Sequence, residues 1–195
     1  AYTLDANGWW QRDWARLPDR RAEADVRGRW PLDVQVAGPL APLQAILVAQ
    51  GWRVQPQADW VGAVGLLDED TPVREQVVLP ATLDAHAEAL LMLHDGEQPN
   101  ELLALRIWPA PASLSSGTPL WLGSTQTLRA TKLFGVVTLW KPEPHNGVAH
   151  AAVRAALMTF DGVESPHPGN DTPVLRLRTT GIEAARIPPP GRSGQ

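Results

Sequence analysis

Residues 31–52, PLDVQVAGPLAPLQAILVAQGW, constrain the fold of this chain more than any other stretch. Leu32, Val34 and Val36 alternate with Asp33, Gln35 and Ala37, the period-two pattern of a half-buried strand, and Gly38-Pro39 ends it. From Pro39 the period changes. Leu43, Ile46, Leu47 and Gln50 recur at helical spacing, proline is tolerated in the first turn, and Gly51 stands just past the end as a C-cap. A strand, a tight turn and a helix in immediate succession predict a compact β-α opening.

Around this unit the texture is mixed. GWWQRDWAR, residues 8–16, predicts a short helix with Trp10 and Trp14 four apart on one face, stopped before Pro18. DWVGAVGLLDED predicts a helix with Asp59 as N-cap, weakened by Gly62 and Gly65. From Gln76 the pattern turns to strands: QVVLPA, HAEALLMLHD and NELLALRIWPA. Asp95-Gly96 between the last two predicts a hairpin with an extended loop. PLWLGSTQTLRATKLFGVVTLWKPE predicts two further strands meeting around Leu133 to Gly135. HNGVAHAAVRAALMTF, 145–160, is helical by its alanines, with Val148, Ala152, Ala155 and Met158 on one side. VLRLRTT predicts a last strand. Helices at both ends of a run of hairpins imply one α+β domain over residues 1–187, with a mainly antiparallel mixed sheet and helices packed on it. Residues 188–195 read as a disordered Pro/Gly tail.

The composition excludes some chemistry. Cysteine is absent, which removes thiol nucleophiles, thiolate metal sites and disulfides. A net charge of −4 argues against nucleic acid as partner. No apolar run is long enough to cross a bilayer. The chain begins without methionine, which is expected of a piece excised from something longer. Nine tryptophans against two phenylalanines and one tyrosine are unusual. The cluster Trp9, Trp10, Trp14 admits two readings, an amphipathic segment packed on the domain or a membrane-proximal contact, because indole suits both settings.

No phosphate-cradling glycine motif occurs, and LGSTQ lacks the elbow that would expose Ser124 as a nucleophile. His145 and His150, five apart, diverge by about 140° on a helix and miss the face a zinc site needs. His86 and His94 would share one face of an uninterrupted strand, with Asp84 nearby, and form the candidate acid-base set. Arg106 and Trp108, like Arg176 and Arg178, share a strand face by their separation of two. They form either an anion site with an aromatic wall or the solvated side of the sheet. In PLWLGS, Leu120 and Leu122 share one face while Trp121 takes the other. This is a strand covered on both sides, with Gly123 permitting close backbone approach, and Trp121 and Gly123 join the candidate ligand-binding residues. No residue set calls for a cofactor or a metal.

Several segments occur in a set order: WW at 9–10, LP at 17–18, PLDVQVAGPLAPLQAILVAQGW, VVLPATLDAHAEALLML, LALRIWPA and PLWLGS. Together, over roughly residues 9 to 140, they resemble the LssY-like C-terminal domain, the soluble end of bacterial membrane proteins related to DedA and to the phosphatidic acid phosphatase type 2 group. The resemblance implies a domain tethered to a bacterial cell membrane, with its own membrane domain or lipid headgroups as partners. It implies no activity, and leaves the side of the membrane and the oligomeric state open. Some members carry a histidine- and acid-rich stretch after the W-x-G-S strand, which this chain replaces with TQTLRATKLFGVVTLWKPEPHNGVAH. Two expectations follow. The first is a non-catalytic accessory domain that binds or positions a partner. The alternative is a phosphatase-like hydrolase using His86, His94 and Asp84, with Arg106 as anion clamp.

Overall fold

In the computed structural model, which describes residues 2–22, 29–56, 78–79, 81–84, 86–135 and 137–180, the chain enters through strand β1 (Tyr2–Leu4) and helix α1 (Ala6–Gln11). Asp5 caps that helix. Its carboxylate accepts from the Gly8 N–H at 2.9 Å, one of the donors a helix start leaves open. The helix expected over residues 8–16 is broken: Arg12 leaves helical geometry at φ −142°, and Asp13–Arg16 makes a 3₁₀ turn. Packing supplies the reason. Positions 9 and 14 would lie about 140° apart on one continuous helix, whereas the break turns both Trp9 and Trp14 inward and leaves Trp10 half-buried.

Strands β2 (Arg20–Ala22) and β3 (Arg29–Pro31) pair with each other, and β4 (Val34–Ala37) with helix α2 (Ala41–Ala49) forms the expected β-α unit. Pro42 lies in the first turn of α2, and Gly51, at φ 89°, follows its end, where the Trp52 N–H reaches the Leu47 carbonyl at 3.0 Å. Leu43, Ile46 and Leu47 are buried as their spacing requires. After β5 (Arg53–Val54), a small hairpin of β6 (Thr82–Leu83) and β7 (His86–Ala87) precedes the long hairpin of β8 (Leu90–Asp95) and β9 (Glu101–Pro109). Strand β10 (Ala112–Leu114) pairs with β1, and β11 (Leu120–Leu133) and β12 (Val137–Pro142) make a second long hairpin. Helix α3 (Gly147–Ala156), β13 (Asp161–Ser165) and β14 (Val174–Arg178) follow. The helix expected from Asp59 and the tail 188–195 lie outside the described residues. Of the strand expected over 76–81 only Val78, Leu79 and Ala81 are described, none of them in a strand.

Eight strands join in the order β13-β14-β4-β11-β9-β8-β5, with β12 on the far part of β11. Every pairing in that sheet is antiparallel except β14 with β4. The fold is thus the expected α+β one, a mixed and mainly antiparallel sheet. Alternation along each strand sorts the side chains onto two faces. Val34, Val36, Leu105, Ile107 and Leu177 lie in the cluster with Leu43 and Leu47 of α2 and Val153 of α3. Trp108, Leu122 and Val174 lie in a second cluster, with Trp9, Trp14 and Leu17 of the N-terminal segment. Both faces are covered, so the arginine- and tryptophan-bearing face is not the solvated side of the sheet.

Helix α3 corrects one expectation. Its buried residues are Ala149, His150, Val153 and Ala156, while Val148 and Met158, assigned by hydropathy to one apolar side, are exposed. The helix is turned so that a histidine points inward. The partner that makes this tolerable is a buried carboxylate.

Candidate functional site

That carboxylate belongs to Asp33, and its position follows from the strand ends. The pairing of β4 with β11 ends where Val34 meets Gly123, yet β11 runs on. In an antiparallel ladder alternate residues bond to opposite neighbours, so the Thr125 N–H points to where β4 no longer is. Asp33 takes the vacancy, accepting from that N–H at 2.8 Å and from the Thr125 hydroxyl. Asn146 Nδ2 donates to the same carboxylate at 2.7 Å, Thr172 at 3.3 Å and His150 Nδ1 at 3.0 Å. His150 Nε2 faces Glu164 at 3.2 Å, and Arg154 holds Glu164 at 3.0 Å. Asp33 is fully buried and His150 nearly so. Burial pulls the imidazole pKa down, but the hydrogen bond and charge of Asp33, followed by those of Glu164, outweigh it and leave the pKa raised. Both ring nitrogens are occupied, so the cluster offers neither lone pair nor proton to a substrate. It ties β11, α3 and β13 to the start of β4.

A different arrangement forms on the opposite face. Arg176 of β14 lies opposite Gln35 of β4, and the side chain of Gln35 anchors the N-terminal segment. It accepts from Trp9 Nε1 at 2.9 Å and donates to the Trp14 carbonyl at 3.0 Å. The anchored tryptophans meet the arginines of β14. The Arg176 guanidinium carbon is 4.3 Å from the Trp14 ring centroid and 5.7 Å from that of Trp10, and that of Arg178 is 3.7 Å from Trp10. Arg178 also pairs with Asp161 at 3.1 Å and is partly exposed. Arg176 is only 4% exposed, and its Nε and Nη1 have no hydrogen-bond partner among the described residues. Burial lowers its pKa. An electron-rich indole face attracts a guanidinium but accepts none of its in-plane N–H groups as a carboxylate would. Among the described residues the cation is walled rather than neutralised.

The other expected site residues have structural employment. Arg106 pairs with the Glu88 carboxylate and donates to Gln126 at 3.1 Å, both its own side chain and that of Glu88 being buried. Trp108 donates from Nε1 to the Ala81 carbonyl at 3.1 Å, with Arg21 over its ring. Trp121, on the α2 side, donates to the Gly38 carbonyl at 2.8 Å. At Gly123 a Cβ would come within 3.2 Å of both the Arg106 carbonyl oxygen and Val34 Cβ, so the glycine serves the close approach of three strands. Ser124 is fully buried.

The expected set of His86, His94 and Asp84 does not assemble. The strand that would have aligned the histidines is interrupted between Ala87 and Leu90, and its two parts belong to different sheets. His86 is exposed, and its Nδ1 meets the backbone carbonyl of Asp84, not the carboxylate. His94, paired with Leu103, lies on the face opposite Arg106 and packs against Trp52 with ring centroids 5.3 Å apart. His94 does line a groove of about 660 Å³ beside α3, together with Trp52, Leu103, Glu101, Glu143 and His145. Arg129 bridges Glu101 and Glu143 there. Among the described residues no group of three or more histidines and carboxylates is placed to hold a metal ion, and no helix is long and apolar enough to cross a membrane.

Two groupings escaped the sequence reading. Asp33 looked like the polar member of an alternating strand, and nothing local marks it as the acceptor for a histidine over a hundred residues away. Trp10 and Trp14 could have been matched to Arg176 and Arg178 only by knowing that the first helix covers the last strand. No family model matches the chain, and no curated protein or solved structure does either.

Proposed function

We propose that this chain is a non-catalytic accessory domain that binds a phosphate- or carboxylate-bearing group, with Arg176 and Arg178 as its cations and Trp10 and Trp14 as its aromatic walls. One observation carries the reading: Arg176 holds a buried charge with no anionic partner among the described residues. Leaving a charge desolvated and unpaired costs several kcal/mol, and stacking on tryptophan offsets about 0.5 to 2 kcal/mol of that. An anion accepting from the free N–H groups would recover the remainder, while Arg178 and the half-buried Trp10 give it an outer contact. The resemblance of the ordered segments to the LssY-like C-terminal domain supports a setting on a bacterial membrane protein, where an anionic lipid headgroup or the adjoining membrane domain would supply the anion. Isothermal titration with inorganic phosphate, glycerol 3-phosphate and acetate tests the site. Binding should fall at least roughly tenfold, about 1.4 kcal/mol, in Arg178→Gln and vanish in Arg176→Gln. Absence of heat with every anion, or an unchanged affinity in Arg176→Gln, would remove the reading.

A further inference from the structure

The far part of the β11–β12 hairpin leaves the sheet behind. Strand β9 ends its pairing with β11 where Glu101 meets Arg129; from Ala130 to Leu133 the only strand partner among the described residues is β12, Ala130 facing Trp140 and Leu133 facing Val137. A two-stranded ribbon therefore continues beyond the last strand partner, with Thr138 and half-buried Trp140 still covered on one face and the tip itself exposed. At its tip stands Phe134, 90% exposed, the most exposed large hydrophobic side chain among the described residues.

Turn chemistry does not account for this residue. Phe134 has φ 53° and Gly135 φ 74°. The left-handed region is taken readily by glycine or asparagine and is unfavourable for a bulky side chain. A phenylalanine here contributes nothing to the core and holds a conformation another residue would adopt more easily, the kind of local cost that collects at functional positions. The chain has one other phenylalanine, Phe160, and that one is buried.

Charge marks the same element. The chain has two lysines, and both lie on this hairpin, Lys132 next to the tip and Lys141 near the base, both exposed; its other basic residues outside histidine are all arginines. No aspartate or glutamate occurs from residue 128 to 142, although the chain as a whole is acidic at −4. An apolar tip followed by strongly hydrated cations matches the layering of an anionic bilayer, hydrocarbon boundary first and phosphates outside it.

We infer that the β11–β12 ribbon is a membrane-docking element: Phe134 enters the interfacial zone of an anionic lipid surface and Lys132 sits among its phosphates. The inference goes beyond the anion site at Arg176 and does not rest on it. Strand rise is about 3.4 Å per residue, so with the tip inserted roughly 5 to 10 Å Lys141 stands about one Debye length above the surface, where its attraction is weakened.

Flotation of the full chain with phosphatidylserine/phosphatidylcholine vesicles tests this, alongside phosphatidylcholine alone. Partition onto anionic vesicles should fall at least roughly tenfold in Phe134→Asn, roughly fivefold in Lys132→Ser and less in Lys141→Ser. Since the chain lacks cysteine, an environment-sensitive dye on Thr131→Cys should shift to the blue on binding while one on Met158→Cys should not. Phe134→Asn should melt no lower than the parent chain and should still bind phosphate as the parent does, which separates this site from Arg176. Absence of partition, equal partition of Phe134→Asn and the parent, or equal blue shifts at the two dyes would overturn the inference. So would a concentration-dependent dimer abolished by Phe134→Asn, which would make a second copy the occupant.

Discussion

His150 and Asp33, 117 residues apart in the chain, meet in the interior with Nδ1 3.0 Å from the carboxylate. On the other side of the same ring stands Glu164. A neutral imidazole has one N–H and can satisfy one carboxylate; the protonated ring satisfies both. The contact is therefore a proton-dependent tie between α3, β13 and the start of β4.

This fixes the sign of a pH effect. The folded-state pKa of His150 is raised above its ordinary value, so its contribution to stability is complete below the unfolded value of about 6.5 and is lost as pH rises through the folded value. A tenfold difference in proton affinity between the folded and unfolded chain is worth about 1.4 kcal/mol. Urea denaturation from pH 6 upward should show stability declining above that unfolded value, and His150→Gln should flatten the decline.

Asp33→Ala should be among the most destabilising substitutions in the chain, at about 3 to 5 kcal/mol. It removes the acceptor for the Thr125 N–H, Asn146 and His150 at once and leaves each of them buried. Urea midpoints at pH 6 measure the loss; a change below about 1 kcal/mol would mean that the hub carries little of the fold.

Arg176→Met should act in the opposite direction. Deleting a buried charge that has no anionic partner among the described residues, while keeping apolar contact with Trp10 and Trp14, should leave the ligand-free domain as stable as the parent or up to about 2 kcal/mol more so. The same variant should gain nothing from added phosphate, whereas the parent should gain thermal stability with phosphate concentration. Differential scanning calorimetry with and without phosphate reads both.

Gly123→Ala should cost about 1 to 3 kcal/mol, because the added methyl meets the Arg106 carbonyl and Val34 at 3.2 Å in a region where three strands leave no slack. At roughly 2 to 4 °C per kcal/mol for a chain of this size, a melting curve resolves it.

The parts of this fold that are legible in the sequence share one property: their signal is carried by neighbours. Alternation at Val34 and Val36, the glycine after α2, Asp95-Gly96 between two apolar runs and the low-volume backbone at Gly123 each report a constraint that acts within a few residues. From such local signals, with the alternation of VLRLRTT and the break at Leu133 to Gly135, come the β-α unit, the long hairpins, the last strand and the α+β class. The tryptophans near the start also announce themselves, although not what they face.

What the tertiary structure alone decides is which side of each element turns inward and what meets there. Hydropathy grouped Val148 of α3 and Met158 just beyond it on one apolar side; the carboxylate of Asp33, placed beside β11 because the β4 pairing stops at Gly123, two residues before Thr125, draws His150 in instead. Period-two spacing put Arg106, Trp108, Arg176 and Arg178 in equivalent positions, yet Glu88 neutralises Arg106 while Arg176, among the described residues, meets indole rings and no carboxylate. The interrupted strand separates His86 from His94 for the same kind of reason. Desolvation and charge pairing depend on groups brought together from distant parts of the chain, and local spacing carries no record of them.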